Sequence, residues 1–294
     1  MIKEKLKGTG VAIITPFKGN EVDFNALEKL VDYMIDNGVN YIVSLGTTGE
    51  TPSLSMQEKK EIINATVKFI NGRCSLVIGI GGNNTNLVKD EIKSLPTNDC
   101  VAILSAGPYY SRPSQEGLFQ HYKEIASISP KPIIIYNVPS RTGRNISALT
   151  VLRLAREVKN IAGIKEASGD LQQCMEILKE APEDFAVVSG DDALALPQIA
   201  CGMTGVISVA ANAFPAEFSK MVDYCLAGNF KEAKKINDWL IPAYELMFSE
   251  NNPAGVKAFL SELKLIENNL RLPLVPLSED LSKKVALFVK SENK

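Results

Sequence analysis

Lys165 closes the apolar run Ile161-Ala162-Gly163-Ile164 and precedes the turn-prone stretch Glu166-Ala167-Ser168-Gly169. A lysine at the end of a buried segment is withheld from water, and burial disfavours a charged ammonium. A neutral amine keeps a lone pair for attack on a carbonyl, which is how a protein makes a Schiff-base nucleophile. Most lysines simply lie on the surface, so this one gains meaning only from its company. That company is a set of polar groups, each placed just after a short β-branched run. They are Gly46-Thr47-Thr48-Gly49-Glu50, Gly81-Gly82-Asn83-Asn84, Gly107-Pro108-Tyr109-Tyr110, Tyr136-Asn137-Val138-Pro139-Ser140-Arg141-Thr142-Gly143, Gly190-Asp191-Asp192 and Ile207-Ser208.

These groups suit a carbonyl reaction. A tyrosine hydroxyl beside the amine can shuttle protons. Glycine-flanked threonines can offer hydroxyl and backbone N–H donors to a carboxylate. An arginine can grip a second carboxylate bidentately. Taken singly, each has a plainer reading. Thr47-Thr48 is then an ordinary turn, Tyr109, Tyr110 and Tyr136 are packing aromatics, Arg141 is a solvated loop residue, and Asp191 and Asp192 cap a helix over Ala193–Ala200. The chemical reading rests on their convergence.

The elements that would produce convergence are legible. Strands are predicted at Val11–Ile14, Tyr41–Leu45, Ser75–Ile80, Val101–Ser105, Ile133–Tyr136, Ile161–Lys165, Phe185–Ser189 and Gly205–Val209. Helical periodicity fills the gaps. Leu27, Leu30, Val31, Met34 and Ile35 form one stripe, stopped by Gly38, and Ser55-Met56-Gln57-Glu58 has capping-box spacing. Eight β-α units with continuous apolar strands predict an α/β fold, a (β/α)8 (TIM) barrel, whose chemistry gathers on the loops after the strands. The rival, an open doubly wound sheet, lacks its G-x-G-x-x-G. The barrel is expected over 1–212, and residues 213–294 read as an additional C-terminal helical region packed on it. Its helices are expected at Phe230–Phe248, Pro253–Leu263 and Leu281–Lys290, with Arg271–Pro276 as an extended connector.

Other chemistries are disfavoured. His121 is the one histidine. It falls in a helical stretch and reads as a surface or interface residue, so neither a zinc site nor a Ser-His-Asp triad is expected. No metal or cofactor is predicted, and the charges of Asp191 and Asp192 argue against a phosphorylated substrate. A net charge of -2 gives no reason to expect nucleic acid or an anionic membrane. Cys74, Cys100, Cys174, Cys201 and Cys225 are scattered and odd in number, which predicts reduced thiols and a cytoplasmic location. The charged start Met1-Ile2-Lys3-Glu4-Lys5 does not read as a signal peptide.

Together, Gly46–Glu50, Tyr109-Tyr110, Tyr136–Gly143 and Gly163-Ile164-Lys165-Glu166-Ala167 resemble the dihydrodipicolinate synthase family of pyruvate-dependent aldolases. The likeness runs from Gly8-Thr9-Gly10-Val11-Ala12 to Leu270-Arg271-Leu272-Pro273-Leu274. The resemblance implies that Lys165 forms a Schiff base with pyruvate and that Tyr136 moves the protons. It implies that Thr47 links Tyr136 to Tyr110, with Tyr110 lent by a neighbouring subunit. Thr48 would bind the pyruvate carboxylate, Gly190 and Ile207 would line the pocket with backbone groups, and Arg141 would hold the carboxylate of aspartate semialdehyde. A homotetramer, a pair of tight dimers, is the implied assembly. Arg141 and the Thr47-Thr48 pair favour this family over the sialic acid lyases and keto-deoxy-sugar aldolases, whose second substrate is a polyol aldehyde. A sugar-acid aldolase and a catalytically silent scaffold remain the alternatives at this point. One departure stands out. Members inhibited by lysine tend to carry histidine and an acidic residue where this chain has Met56, Lys59 and Leu87, which implies weak or absent lysine feedback.

Overall fold

The structure is a computed structural model that describes residues 1–292. Eight strands close into a parallel barrel: β1 (Gly8–Ala12), β2 (Tyr41–Ser44), β3 (Ser75–Gly79), β4 (Ala102–Ala106), β5 (Ile133–Asn137), β6 (Ile161–Glu166), β7 (Ala186–Ser189) and β8 (Gly205–Ser208). β1 pairs with both β8 and β2, so the sheet has no edge and the open-sheet rival is ruled out. The expected strands are all present, with no end shifted by more than three residues. β6 runs on through Glu166, because that carboxylate is buried and hydrogen-bonded rather than turning out to water. A small antiparallel hairpin, Phe17–Lys18 with Glu21–Val22, was not anticipated.

Alternation along the strands divides the core in two. Tyr41, Val43, Leu104, Ile134, Tyr136, Val188 and Ile207 fill the barrel interior. Outward residues such as Ile42, Ile133, Ile135 and Ile164 join the layer beneath the helices. Close packing inside needs glycine at Gly10, where a Cβ would lie 2.2 Å from the Tyr41 ring.

The ring of helices is α1 (Phe24–Asp36), α2 (Met56–Ile70), α3 (Thr85–Ser94), α4 (Gln115–Ile128), α5 (Ala148–Glu157), α6 (Leu171–Glu180), α7 (Ala195–Ala200) and α8 (Pro215–Leu226). Asp23, Ser55, Asn84, Ser114, Ser147 and Asp170 cap the first six by accepting first-turn N–H groups. Three further helices follow: α9 (Phe230–Phe248), α10 (Ala254–Glu262) and α11 (Glu279–Glu292). Phe214, Trp239, Phe259 and Phe288 stack edge to face where these meet the barrel. No helix among the described residues is long and apolar enough to cross a membrane.

His121 departs from its expected surface position. It is 4% exposed, and its Nδ1 meets Thr85 Oγ1 at 2.9 Å. Burial pushes its pKa down to about 4. The unfolded chain therefore binds the proton more readily between about pH 6.5 and 4, and the stability held above that window is lost as pH falls through it. Against a His121→Gln variant, the wild type is expected to lose about 2–3 kcal/mol of unfolding free energy between pH 7 and pH 4.5. Denaturant titrations at both pH values check this, and a difference that does not change with pH contradicts it.

Candidate active site

The C-terminal ends of the strands open into a cavity of about 610 Å³. Lys165 enters it from β6 and Tyr136 from β5, and the two are Cα partners in the ladder. Register neighbours in a parallel pair project to the same face, so amine and phenol emerge side by side. Lys165 Nζ lies 4.4 Å from the centroid of the Tyr136 ring. Lys165 is 4% exposed and Tyr136 9%. An amine over an aromatic face is a favourable placement when it carries charge.

Gly190, just after β7, makes room for the lysine. A Cβ there would sit 2.8 Å from Lys165 Cε and 2.7 Å from Ala167 Cβ. On the outer side of the same strand end, Glu166 accepts from Asn137 Nδ2, from Gln173 Nε2 at 3.0 Å and from the Ser168 amide at 2.7 Å. That network ties β5, β6 and α6 together beneath Lys165, and a fully satisfied buried network is rigid.

The loop after β2 turns through a 3-10 segment, Thr47–Gly49, into left-handed Glu50, φ 53°. Thr47 and the buried Thr48 border the cavity. The loop after β5 forms a short helix, Pro139–Thr142, ended by left-handed Gly143, and this brings Arg141 to the rim. Lys165, Tyr136, Thr47, Thr48, Arg141 and Gly190 thus share one cavity, with Asp191 and Glu245 on its wall.

Two of the expected site residues do not border this cavity, and one of them, Tyr110, was expected to come from a neighbouring subunit. Ile207 is packed in the barrel interior, and Val209, two residues on, borders the cavity instead. Tyr110 is 90% exposed with φ 70°, outside the cavity.

Asp191 and Asp192 divide their work. Asp191 Oδ1 accepts from the Ala193 and Leu194 amides, as a capping residue would. Asp192 does not cap α7, which begins at Ala195 with no side-chain cap. Its buried carboxylate turns the other way and accepts from the Val209 and Ala210 amides, bracing the loop after β8. Burial pushes this carboxyl up to about 6 against the opposing hydrogen bonds of Ser208, Ala210 and Val209.

The C-terminal segment reaches the site, which the sequence did not reveal. Lys257 is fully buried and ion-paired with Glu50, also fully buried, while it donates to Asn269 O at 2.9 Å. The second Glu50 oxygen accepts from the Arg271 amide at 3.1 Å. Arg271, expected in an extended connector, grips Glu58 with both terminal nitrogens. Asn252 lines the cavity and was also missed. An acidic residue two positions after the Thr-Thr pair and a lysine inside an apolar helix, Val256-Lys257-Ala258-Phe259, were the available signals.

A second cavity of about 500 Å³ shares Thr47, Tyr136 and Arg141 with the first and extends to Asn83, Leu87 and Tyr109. On its wall Lys59 Nζ meets Glu91 Oε1 at 2.7 Å.

Residues 5–292 match the Dihydrodipicolinate synthetase family. The chain belongs to that family. It is 51% identical over 272 residues to the 4-hydroxy-tetrahydrodipicolinate synthase of Parabacteroides distasonis, covering 92% of each chain. It is 48% identical over 288 residues to the enzyme of that name from Flavobacterium psychrophilum, covering 98% of each. The crystal structure of dihydrodipicolinate synthase from Aquifex aeolicus superposes with a TM-score of 0.95 at 39% identity, covering 98% of each chain.

Proposed function

We propose that this chain condenses pyruvate with L-aspartate 4-semialdehyde, through a lysine Schiff base, to give 4-hydroxy-tetrahydrodipicolinate, on the diaminopimelate route to lysine. The observation that carries the reading is the pairing of Lys165 with Tyr136 across β5 and β6, inside a cavity that also holds Thr48 and Arg141.

The chemistry follows from the placement. The free amine of Lys165 adds to the ketone carbon of pyruvate, and loss of water leaves an imine. Tyr136, beside that nitrogen, delivers the proton that lets hydroxide depart as water and takes protons back in later steps. Thr47 relays protons between Tyr136 and the Tyr110 lent by a neighbouring subunit. The imine loses a methyl proton to become an enamine, whose carbon attacks the aldehyde of the second substrate. The substrate's own amine then displaces Lys165 from the imine carbon, closing the ring and regenerating the free enzyme. Across the cycle one water is released.

Binding follows the same logic. Thr48 donates to the pyruvate carboxylate, and Arg141 at the rim holds the carboxylate of the aldehyde. Asp191 and Glu245 on the wall oppose Arg141 with negative charge, which suits a substrate that also carries an ammonium. Gly190 and the strand carrying Ile207 shape the floor. The ring of Tyr110, exposed and left-handed on a single chain, completes the site of a neighbouring subunit within a homotetramer built as a dimer of dimers. The five free thiols fit a reducing cytoplasm.

Removing the rim cation tests substrate choice. Arg141→Ala is expected to raise KM for aspartate semialdehyde about 10- to 100-fold, the worth of one charge-assisted contact. Turnover of a polyol aldehyde is expected to stay absent. Equal use of a polyol aldehyde by the wild type would instead favour a sugar-acid aldolase. Feedback is the other distinguishing property. A free lysine entering the second cavity meets the ammonium of Lys59, already paired with Glu91, and an apolar Leu87. Millimolar L-lysine is therefore expected to leave the initial rate unchanged, and a halved rate contradicts this.

A further inference from the structure

We infer that Asn252 is a positioning residue that sets the direction of the Thr48 hydroxyl and so determines how tightly pyruvate is held. The inference rests on the function proposed above and extends it to a residue outside the barrel loops.

Asn252 precedes α10 and is 6% exposed on the cavity wall. Its Nδ2 donates to Thr48 Oγ1 at 3.1 Å. A hydroxyl has one proton, which it gives away, and lone pairs, which it fills by accepting. With a lone pair of Thr48 occupied by Asn252, the hydroxyl proton is left to point elsewhere, and the cavity is where a carboxylate awaits it. The backbone carbonyl of the same residue accepts from Arg141 Nη2 at 3.3 Å. One residue of the C-terminal segment therefore touches both groups assigned to substrate carboxylates, through its side chain for one and its main chain for the other.

The amide is retained at a cost. Its Oδ1 is buried with no hydrogen-bond partner among the described residues, a situation worth about 1–3 kcal/mol of lost stability. An apolar side chain would avoid that cost, so stability alone does not account for asparagine here. The position is also held firmly. Three residues on, Gly255 lies so close to α9 that a Cβ would sit 2.1 Å from the Met247 carbonyl oxygen. Lys257, two residues further, is locked to Glu50 in the Thr47–Glu50 loop. Asn252 and Thr48 are thus on two segments clamped together, and the hydrogen bond between them has little freedom.

Steady-state kinetics of Asn252→Ala, Asn252→Asp, Thr48→Val and the double variant Asn252→Ala/Thr48→Val test this. Asn252→Ala is expected to raise KM for pyruvate about tenfold, the worth of one hydrogen bond. KM for the aldehyde should stay within about twofold, since the main-chain contact to Arg141 survives any side-chain change. Asn252→Asp, of the same shape, turns the bond round by accepting from Thr48 and adds negative charge, so its pyruvate KM should exceed that of Asn252→Ala. If Asn252 acts through Thr48, the double variant binds pyruvate no worse than Thr48→Val alone. Additive effects, or an unchanged pyruvate KM, overturn the inference. Should Asn252→Ala fail to fold, the isosteric Asn252→Asp carries the comparison alone. A wild type that does not condense the two substrates defeats the proposed function itself, a result separate from any of these.

Discussion

The ladder between β5 and β6 is the constraint on which the site depends. Parallel pairing in register sets Tyr136 opposite Lys165, and the pleat turns both side chains to the barrel mouth. No loop conformation has to be guessed for these two groups to meet. Everything around them preserves that register. Glu166 fastens the outer face of the strand end, Gly190 leaves the lysine stem its channel, and the closed sheet keeps the ladder from slipping. Lys165 and Tyr136 therefore sit on paired strands of the closed barrel, and reacting groups gain most from fixed geometry.

The groups proposed to bind carboxylates lack that support and borrow it from the C-terminal segment. Thr47 and Thr48 lie on a tight, partly left-handed loop, and Arg141 lies on a four-residue helix. Both are reached from beyond the barrel: Glu50 by Lys257 and Arg271, Thr48 and Arg141 by Asn252. A buried ion pair adds little net stability over apolar replacements, whereas losing one partner costs about 3–5 kcal/mol. The Lys257–Glu50 pair is thus better understood as fixing the loop than as strengthening the fold.

The sequence revealed what depends on nearest neighbours and periodicity. Eight apolar runs gave eight strands, and the strand ends gave Lys165, Tyr136, Thr47, Thr48 and Arg141 as one constellation, with Gly190 added by the resemblance. It did not reveal contacts across long separations. Lys257 and Glu50 are 207 residues apart, and although each is locally unusual, nothing in the sequence pairs one with the other. Asn252 sits before a proline and reads as a loop residue. His121 read as exposed because a helical stretch with mixed polarity does not say which side faces its neighbour, and α3 covers it. Asp192 read as a cap because aspartates before helices usually are. Its burial, which depends on the loop after β8, turned it elsewhere.

The account stands on Lys165 carrying pyruvate as an imine. The direct measurement is reduction with borohydride in the presence of pyruvate, followed by intact mass and peptide mapping. The expected result is one pyruvyl adduct per chain on the peptide containing Lys165, absent in Lys165→Ala. An unmodified Lys165 peptide, or an adduct on a different lysine, contradicts the account.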